Sequence, residues 1–373
     1  MANTFLTPDV IGREALMILE NNLVAANLVH RDHQSEFQGS KVGDTITVRG
    51  PATFTAAEFT SSVSVQNATE ASVSLQLEKH FDVTVAVTSR DWTLELEDFS
   101  RQIVAPAVSA IAEAVDAYLF SKYTEVYQFS GTAGDPPDTL AELAAIDKVL
   151  NDAKVPQSGR FALVNPACKA DMMAIEAVHR SAARGDDGTA LREASLGRIM
   201  GIDWYMAQGV KTHTSGTLGG TPLVNGAVSA GATTMNIDGA ATSGTLAVGD
   251  LFTVAGVTGQ FRITAAATAS SGAITGAAFY PAAPTGGFAD NAAITHISSH
   301  AANLVGHRNA LTLAVVPLEK PMGAAKSEYV SYNGLGIRVV YDYSATSKTD
   351  TISFDVLCGA KVQDPRLIAR LLG

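Results

Sequence analysis

Basic residues are scarce in this chain. Its 373 residues carry 26 Lys and Arg against 37 Asp and Glu, for a net charge of −11. Tight binding to nucleic-acid phosphates needs clustered cations that displace counterions. The first forty residues hold Arg13 and Arg31 against Asp9, Glu14, Glu20, Asp32 and Glu36, so no basic arm is present. Cysteine is nearly absent. Cys168 and Cys358 lie far apart with no secretory signal ahead of them, and read as two small buried hydrophobes in a chain that folds in a reducing cytoplasm. Long apolar runs are missing too. The longest, Leu311 to Leu318, is broken by Thr312 and Pro317 and falls short of the ~18 residues of a membrane span, so no membrane is expected as a partner. Charged residues make up only 17%, below the roughly 25% usual in soluble domains, a hint that partners cover much of the surface.

Motifs of catalysis are lacking as well. There is no phosphate-cradling Gly-rich loop followed by Lys-Ser or Lys-Thr, and no Gly-x-Ser-x-Gly elbow. His30 and His33 flank Asp32, and His296 and His300 stand four apart, a spacing that shares a metal on a helix. Neither pair has a third ligand nearby in sequence, and Ile294 to Ile297 reads as strand, so surface or interface histidines are expected. Glu95, Glu97 and Asp98 suit the positive end of a helix dipole better than a catalytic pair. His307-Arg308 reads as hydrogen bonding within the domain or between subunits, and Asn67-Ala68-Thr69 as an accidental glycosylation match. No catalytic, cofactor-binding or metal-binding residue is assigned, and no cofactor is expected.

What is present is hydrophobic residues at 46%, enough to fill the cores of two or three domains. Pro8 to Val29 reads as a helix with a narrow apolar stripe of Ile11, Ala15, Ile18 and Leu19. Either an arm laid on a neighbouring subunit or an ordinary packed helix fits. From Asp44 to Ser89 the period becomes two: Ile46 and Val48, Val63 and Val65, Val73, Leu75 and Leu77, then Val83, Val85 and Val87. The spacing predicts a long two-stranded ribbon that few of its own residues could bury. Isolated hairpins are marginal in water, so the ribbon needs another surface to lie on.

A long helix follows, roughly 97–127, with Ile103, Ala107, Ile111, Ala114, Val115 and Tyr118 on one stripe, Glu113 and Asp116 largely off it, and Pro106 marking a kink or the true start. Thr139 with Glu142 forms a capping box for the next helix. Arg160 to Val164 is a short strand. Asn165-Pro166 opens a helix running to about Ala183, Gly185 to Gly188 is a loop, and Ile202 to Ala207 is a strand. Between Thr214 and Thr295 there is no Lys or Glu, and a single Arg262 stands against Asp238, Asp250 and Asp290. Many short β-prone pieces with Gly-rich turns predict a compact barrel or sandwich. A disordered linker is the alternative, but it would have no use for Phe252, Phe261, Ile263, Phe279 and Tyr280. Asn303 to Asn309 reads as helical. Leu311 to Val315, Tyr329 to Tyr332, Ile337 to Tyr343 and Thr351 to Leu357 read as strands, with Asn333-Gly334 as a tight turn.

This order resembles the Hong Kong 97-type capsid fold of tailed phages, within it the short-tailed-phage coat proteins that carry an extra insertion domain. The residues that carry the likeness are Gly197-Arg198-Ile199-Met200-Gly201-Ile202-Asp203, Asn303 to Ala310, Asp342 to Lys348, Cys358-Gly359-Ala360-Lys361-Val362 with Asp364-Pro365-Arg366, and Leu246 to Gly256 inside the insertion. The resemblance implies an α+β chain. Its parts would be an N-terminal arm (1–44), an extended β-loop lapping a neighbour (45–90), a spine helix and linker (91–137), peripheral and axial domains (138–213 and 299–373) and an inserted, small β-barrel-like domain (214–298). It implies a major capsid protein of an icosahedral shell around double-stranded DNA, in hexamers and pentamers of many copies of itself. A scaffolding protein and a portal would be partners, and the shell would enclose DNA without specific binding, in the virion, after assembly in the bacterial cytoplasm.

Two departures matter. Glu58, Glu70 and Glu78 lie in the ribbon but no Lys occurs between Lys41 and Lys79, so Lys–Asn cross-linking lacks its usual nucleophile. The nearly uncharged insertion offers little for salt bridges between capsomers. Two competing readings are a surface or tail-associated β-rich binding protein, favoured only by the insertion, and a hydrolase with a β accessory domain, which needs a polar pocket the sequence does not display.

Overall fold

In a computed structural model, the described residues are 8–31, 45–49, 58, 72–88, 100–180, 192–316, 318–321, 326–332, 334–346 and 348–373. The chain divides into two compact units, 1–115 with 311–363 and 116–310 with 364–373. Residues 299–373, assigned with 138–213 to the peripheral and axial domains in the sequence reading, are shared between them.

The first unit is built on a sheet whose long central strand is Thr349–Val362. On one side it pairs with Leu335–Ser344 and, further along, Leu311–Val316; on the other it pairs with Lys79–Thr88 over ten residues. Lys326–Tyr332 flanks Leu335–Ser344, joined through Gly334 at φ +74°, a left-handed position suited to glycine. Alternation makes these strands: Leu335, Ile337 and Val339, and Ile352, Phe354, Val356, Cys358 and Ala360, are all buried. The helix Pro8–Asn22 lies on Lys326–Tyr332 and Leu335–Ser344, burying Ile11, Ala15, Leu16 and Leu19. It comes so close that a Cβ on Gly12 would strike Val330. Of the two readings of this segment, the ordinary packed helix is the one observed.

The predicted spine helix is shorter and more buried than its sequence stripe suggested. A π-helical turn, Ser100–Val104, leads into the α-helix Ala105–Ser121, which ends in a 3₁₀ turn, Lys122–Glu125. Pro106 thus stands where the π-helical turn passes into the α-helix, the irregularity expected of a proline inside a helical segment. Val104, Val108, Ala112, Leu119 and Phe120 are buried along with Ala107, Ile111, Val115 and Tyr118 of the expected stripe, whose Ile103 and Ala114 are half-buried; Asp116, placed off it by periodicity, is buried too. Over Arg101–Glu125 this helical segment is long and apolar enough to cross a membrane, although no unbroken apolar run marks it in the sequence; more than half of its most apolar stretch is buried inside the protein. Glu95, Glu97 and Asp98 lie outside the described residues.

The second unit has a mixed sheet in the order Gln128–Ser130, Ile368–Leu372, His300–His307, Arg160–Val164, Ile202–Met206, Gly197–Ile199. Against it pack the helices Leu140–Asp152 and Pro166–Ala174, through Leu143, Ile146, Leu150 and Met172 onto Val164, Trp204, Val305 and Leu371. The capping box at Thr139 and Glu142 forms, and the Asn165 side chain accepts from the Cys168 amide. The latter helix stops at Ala174, not near Ala183. Ile175 turns extended at ψ 118°, a short helix Glu176–His179 follows, and the loop expected at 185–188 lies outside the described residues. Residues 303–309, read as helical, instead belong largely to the fully buried strand His300–His307; a continuous apolar run in a sheet core carries no period that separates strand from helix.

The neutral segment is ordered. Six strands, Ile294–His296, Leu251–Val254, Phe261–Ile263, Ile274–Tyr280, Thr234–Asp238 and Leu223–Val224, pair in that sequence. Leu223 pairs in turn with Ala293, and the Ile294 and Val224 amides donate to the Pro222 and Ala292 carbonyls, so the sheet closes into a small barrel. Its core is an aromatic knot: the ring centroids of Phe261 and Phe279 lie 5.1–6.1 Å from each other and from those of Phe252 and Phe288.

Candidate functional site

The ribbon has a defined base. Thr45–Arg49 pairs antiparallel with Ser72–Gln76, in the register Ile46 to Leu75 and Val48 to Val73. Ile46, Val48 and Leu75 are buried together with Ala314 of the same unit. That cover is described for the base of the ribbon alone. A correction concerns Val83, Val85 and Val87, which belong to the Lys79–Thr88 strand of the main sheet and not to the ribbon. The ribbon base runs so close to the central strand that a Cβ on Gly359 would run into the Gln76 carbonyl. Val63, Val65, Glu70 and Asn67 lie outside the described residues.

The barrel also has a defined root. Thr212 and His213 pair with Ala301 and His300, so the insertion leaves and re-enters the parent sheet on neighbouring strands. Its central group is Asp250, fully buried at the start of the Leu251–Val254 strand. Its carboxylate accepts from His213 Nε2 at 2.8 Å, His296 Nε2 at 3.0 Å, and the Ala247 and Gly216 amides at 2.8 and 3.1 Å. Burial alone would raise its pKa; the hydrogen bonds from His213 and His296 outweigh burial and hold it well below the carboxylate range. His213 Nδ1 lies 3.1 Å from the Tyr123 hydroxyl at the end of the spine helix. The Tyr123 ring lies under the guanidinium of Arg370, a fully buried cation on the C-terminal strand.

Further contacts fix the same joint. Gln260 hydrogen bonds both the amide and the carbonyl of Phe129, standing in for a strand partner at the exposed edge of the sheet. Arg262 donates to the Thr124 carbonyl, and Phe129, Leu251 and Leu372 form an apolar cluster.

The histidine pairs do not converge as ligands. His296 serves Asp250, while His300 Nδ1 donates to the Ser298 carbonyl at 2.8 Å. His33 and Asp32 lie outside the described residues, and among the described residues no His/Cys/Asp/Glu group suits a metal. His307 Nδ1 accepts from the Asn309 amide, a bond within the domain, one of the two kinds expected of it. Cys168 and Cys358 are buried and unbridged, and burial pushes the Cys168 thiol up to about 12, so it is inert. Sequence reasoning missed the Tyr123–His213–Asp250–His296 chain, whose members lie up to 173 positions apart. The one available signal was scarcity: a carboxylate in an eighty-residue stretch almost without charge needs a reason to be there. The chain looks like a catalytic relay, but His213 and Asp250 are sealed from solvent, at 3% and 0% side-chain exposure. Its geometry holds two parts of the unit together.

Comparison with solved structures identifies the class. The chain is similar to a structure from Mycobacterium phage Che8, at 14% identity over 94% of this chain and 90% of that one, with a TM-score of 0.53. Weaker likenesses include a capsid of Ralstonia phage GP4 (9% identity, 88% and 83% covered, TM-score 0.47) and the mature capsid of bacteriophage PhiM1 (9%, 88% and 82%, 0.46). Paired ribbon, spine helix, helix-backed sheet and returning β-rich end define an α+β chain of the Hong Kong 97 capsid type. Residues 7–264, well over half of the chain, match the P22 coat protein (gene protein 5) family, and the chain belongs to that family. It is a phage major capsid protein, a structural subunit of the shell. No curated protein matches it.

Proposed function

We propose that this coat protein closes an icosahedral shell around double-stranded DNA, as hexamers and pentamers built on a scaffolding protein and opened at one vertex by a portal. The observation that carries this reading is the ribbon. Its base is gripped by Ala314 and the central strand of its own unit, which gives the ribbon a fixed point of departure toward a neighbouring copy. The arrangement suits heterologous contacts that close by symmetry. At about 25 cal/mol per Å² of apolar area, 1,000 Å² lapped on neighbours contributes roughly 25 kcal/mol gross before ordering costs. That is enough to hold a shell without a basic inner wall. The net charge of −11 fits a container that encloses DNA without binding it specifically. Residues 214–298 are the insertion domain, and the particle assembles in the bacterial cytoplasm before forming the virion capsid. The chain carries out no catalysis in this role.

Sedimentation of the protein co-expressed with its scaffolding protein tests the proposal. Rapidly sedimenting particles that contain both proteins are expected. A coat protein that stays monomeric or in small oligomers at every scaffold ratio contradicts it.

A further inference from the structure

Among the described residues of the second unit, Arg160 and Arg370 are buried arginines whose surroundings differ. Arg160, 3% exposed, is fully satisfied: Nε donates to the Pro156 carbonyl, one Nη to Asp147, and the other to Asn151 and the Val155 carbonyl. Arg370 is 0% exposed, yet only Nη2 is hydrogen bonded, to the Val126 carbonyl at 2.8 Å. Its Nε and Nη1 are buried with no partner among the described residues. Three N–H bonds of a buried cation without acceptors are costly, about 1–3 kcal/mol for each unsatisfied group.

His300 shows the complementary deficit. It is 2% exposed, and its Nδ1 hydrogen bond to Ser298 assigns the proton to that nitrogen, leaving Nε2 as an acceptor. That Nε2 is buried and likewise has no partner among the described residues. Leu304 pairs with Arg370 and Ala302 with Leu372, so strand alternation puts His300 and Arg370 on one face of the sheet. The rings of His213, 5.3 Å from His300, and Tyr123, 5.5 Å from His213, line the same region.

We propose that the root of the barrel is an internal hydration site, in which ordered water accepts from Arg370 Nε or Nη1 and donates to His300 Nε2. Water has the donor and acceptor that both ends require, and buried waters settle where two to four polar groups converge. A halide does not fit. Asp250 already supplies the negative charge that Arg370 requires, and the lone pair of a neutral His300 repels an anion. Burial pushes the His300 pKa down to about 4, which keeps that lone pair free at neutral pH. The hydrated contact would tie His300, on the strand that leaves the barrel, to Arg370 on the C-terminal strand, beside the Asp250 chain.

A high-resolution map of the full-length protein, as shells or as crystals, tests this whatever the particle proves to be. The expected result is compact density within hydrogen-bond distance of Arg370 and His300 Nε2, equal in acetate and bromide buffers and lost in His300→Phe. Density that strengthens in bromide overturns the proposal in favour of an anion. Nε and Nη1 of Arg370 resting on protein acceptors, with no density between, overturns it as well. Should His300→Phe fail to fold, the two wild-type maps decide alone.

Discussion

At the scale of single residues, the molecule concentrates its polar risk in one place. Asp250 is fully buried and saturated by two imidazoles and two backbone amides. Replacing it leaves His213 and His296 without their acceptor, so Asp250→Ala is expected to lower unfolding stability by about 3–5 kcal/mol in urea titrations of the full chain. The pH dependence follows from the depressed pKa values of His300, His307 and Asp250. His300 titrates near 4 when folded, against 6.5 normally. Between those values the unfolded chain binds the extra proton, so stability falls as pH falls, by roughly 2 kcal/mol from pH 7 to pH 5. His307 shifts in the same direction, so the His300 share is the part of the slope that disappears in His300→Phe. Asp250, also depressed, contributes stability that is present above the ordinary carboxylate pKa near 4 and lost below it. None of this chain was legible in sequence, because Tyr123, His213, Asp250 and Arg370 meet only through tertiary pairing. What could be read was the local chemistry: the capping box at Thr139 and Glu142, and the Asn165-Pro166 helix start.

At the scale of elements, periodicity found most strands but not their partners. Ile46, Val48 and Leu75 announced a ribbon, yet Val83 to Val87 carry the same alternation and pair elsewhere, with Val85 opposite Ile352. A period of two names a strand, and register is fixed by what lies beside it. The strand His300–His307 was missed because both of its faces are buried. The ribbon base depends on Gly359, where any side chain meets the Gln76 carbonyl. Gly359→Val is expected to displace the ribbon while leaving the barrel intact. The checks are near-native amide exchange in residues 223–296, raised exchange at residues 72–76, and shell yield reduced at least tenfold in sucrose gradients. Unchanged yield with Gly359→Val would show that the close approach has no part in assembly.

On the scale of the whole molecule, composition was the strongest guide. The abrupt loss of charge between Thr214 and Thr295 marked out the barrel, and its spaced Phe252, Phe261 and Phe279 proved to be its core. The division of the rest was not legible, since residues 311–363 join the N-terminal unit while 364–373 return to the other. Because the insertion enters and leaves on paired strands, Thr212 beside Ala301, replacing residues 216–298 with a short Gly-Ser linker is expected to preserve the parent sheet. Circular dichroism should retain its helical signal, and assembled particles should be aberrant in size. Loss of all folded structure would mean that the root network is needed to form the parent domain.

In the proposed shell, each ribbon serves an adjoining copy. Cryo-electron microscopy of shells assembled with scaffolding protein measures this directly. The predicted map places residues 50–71 of each subunit across the surface of a neighbour, continuing from a base fixed by Ala314 and Gly359. A closed shell in which those residues fold wholly onto their own subunit would contradict it.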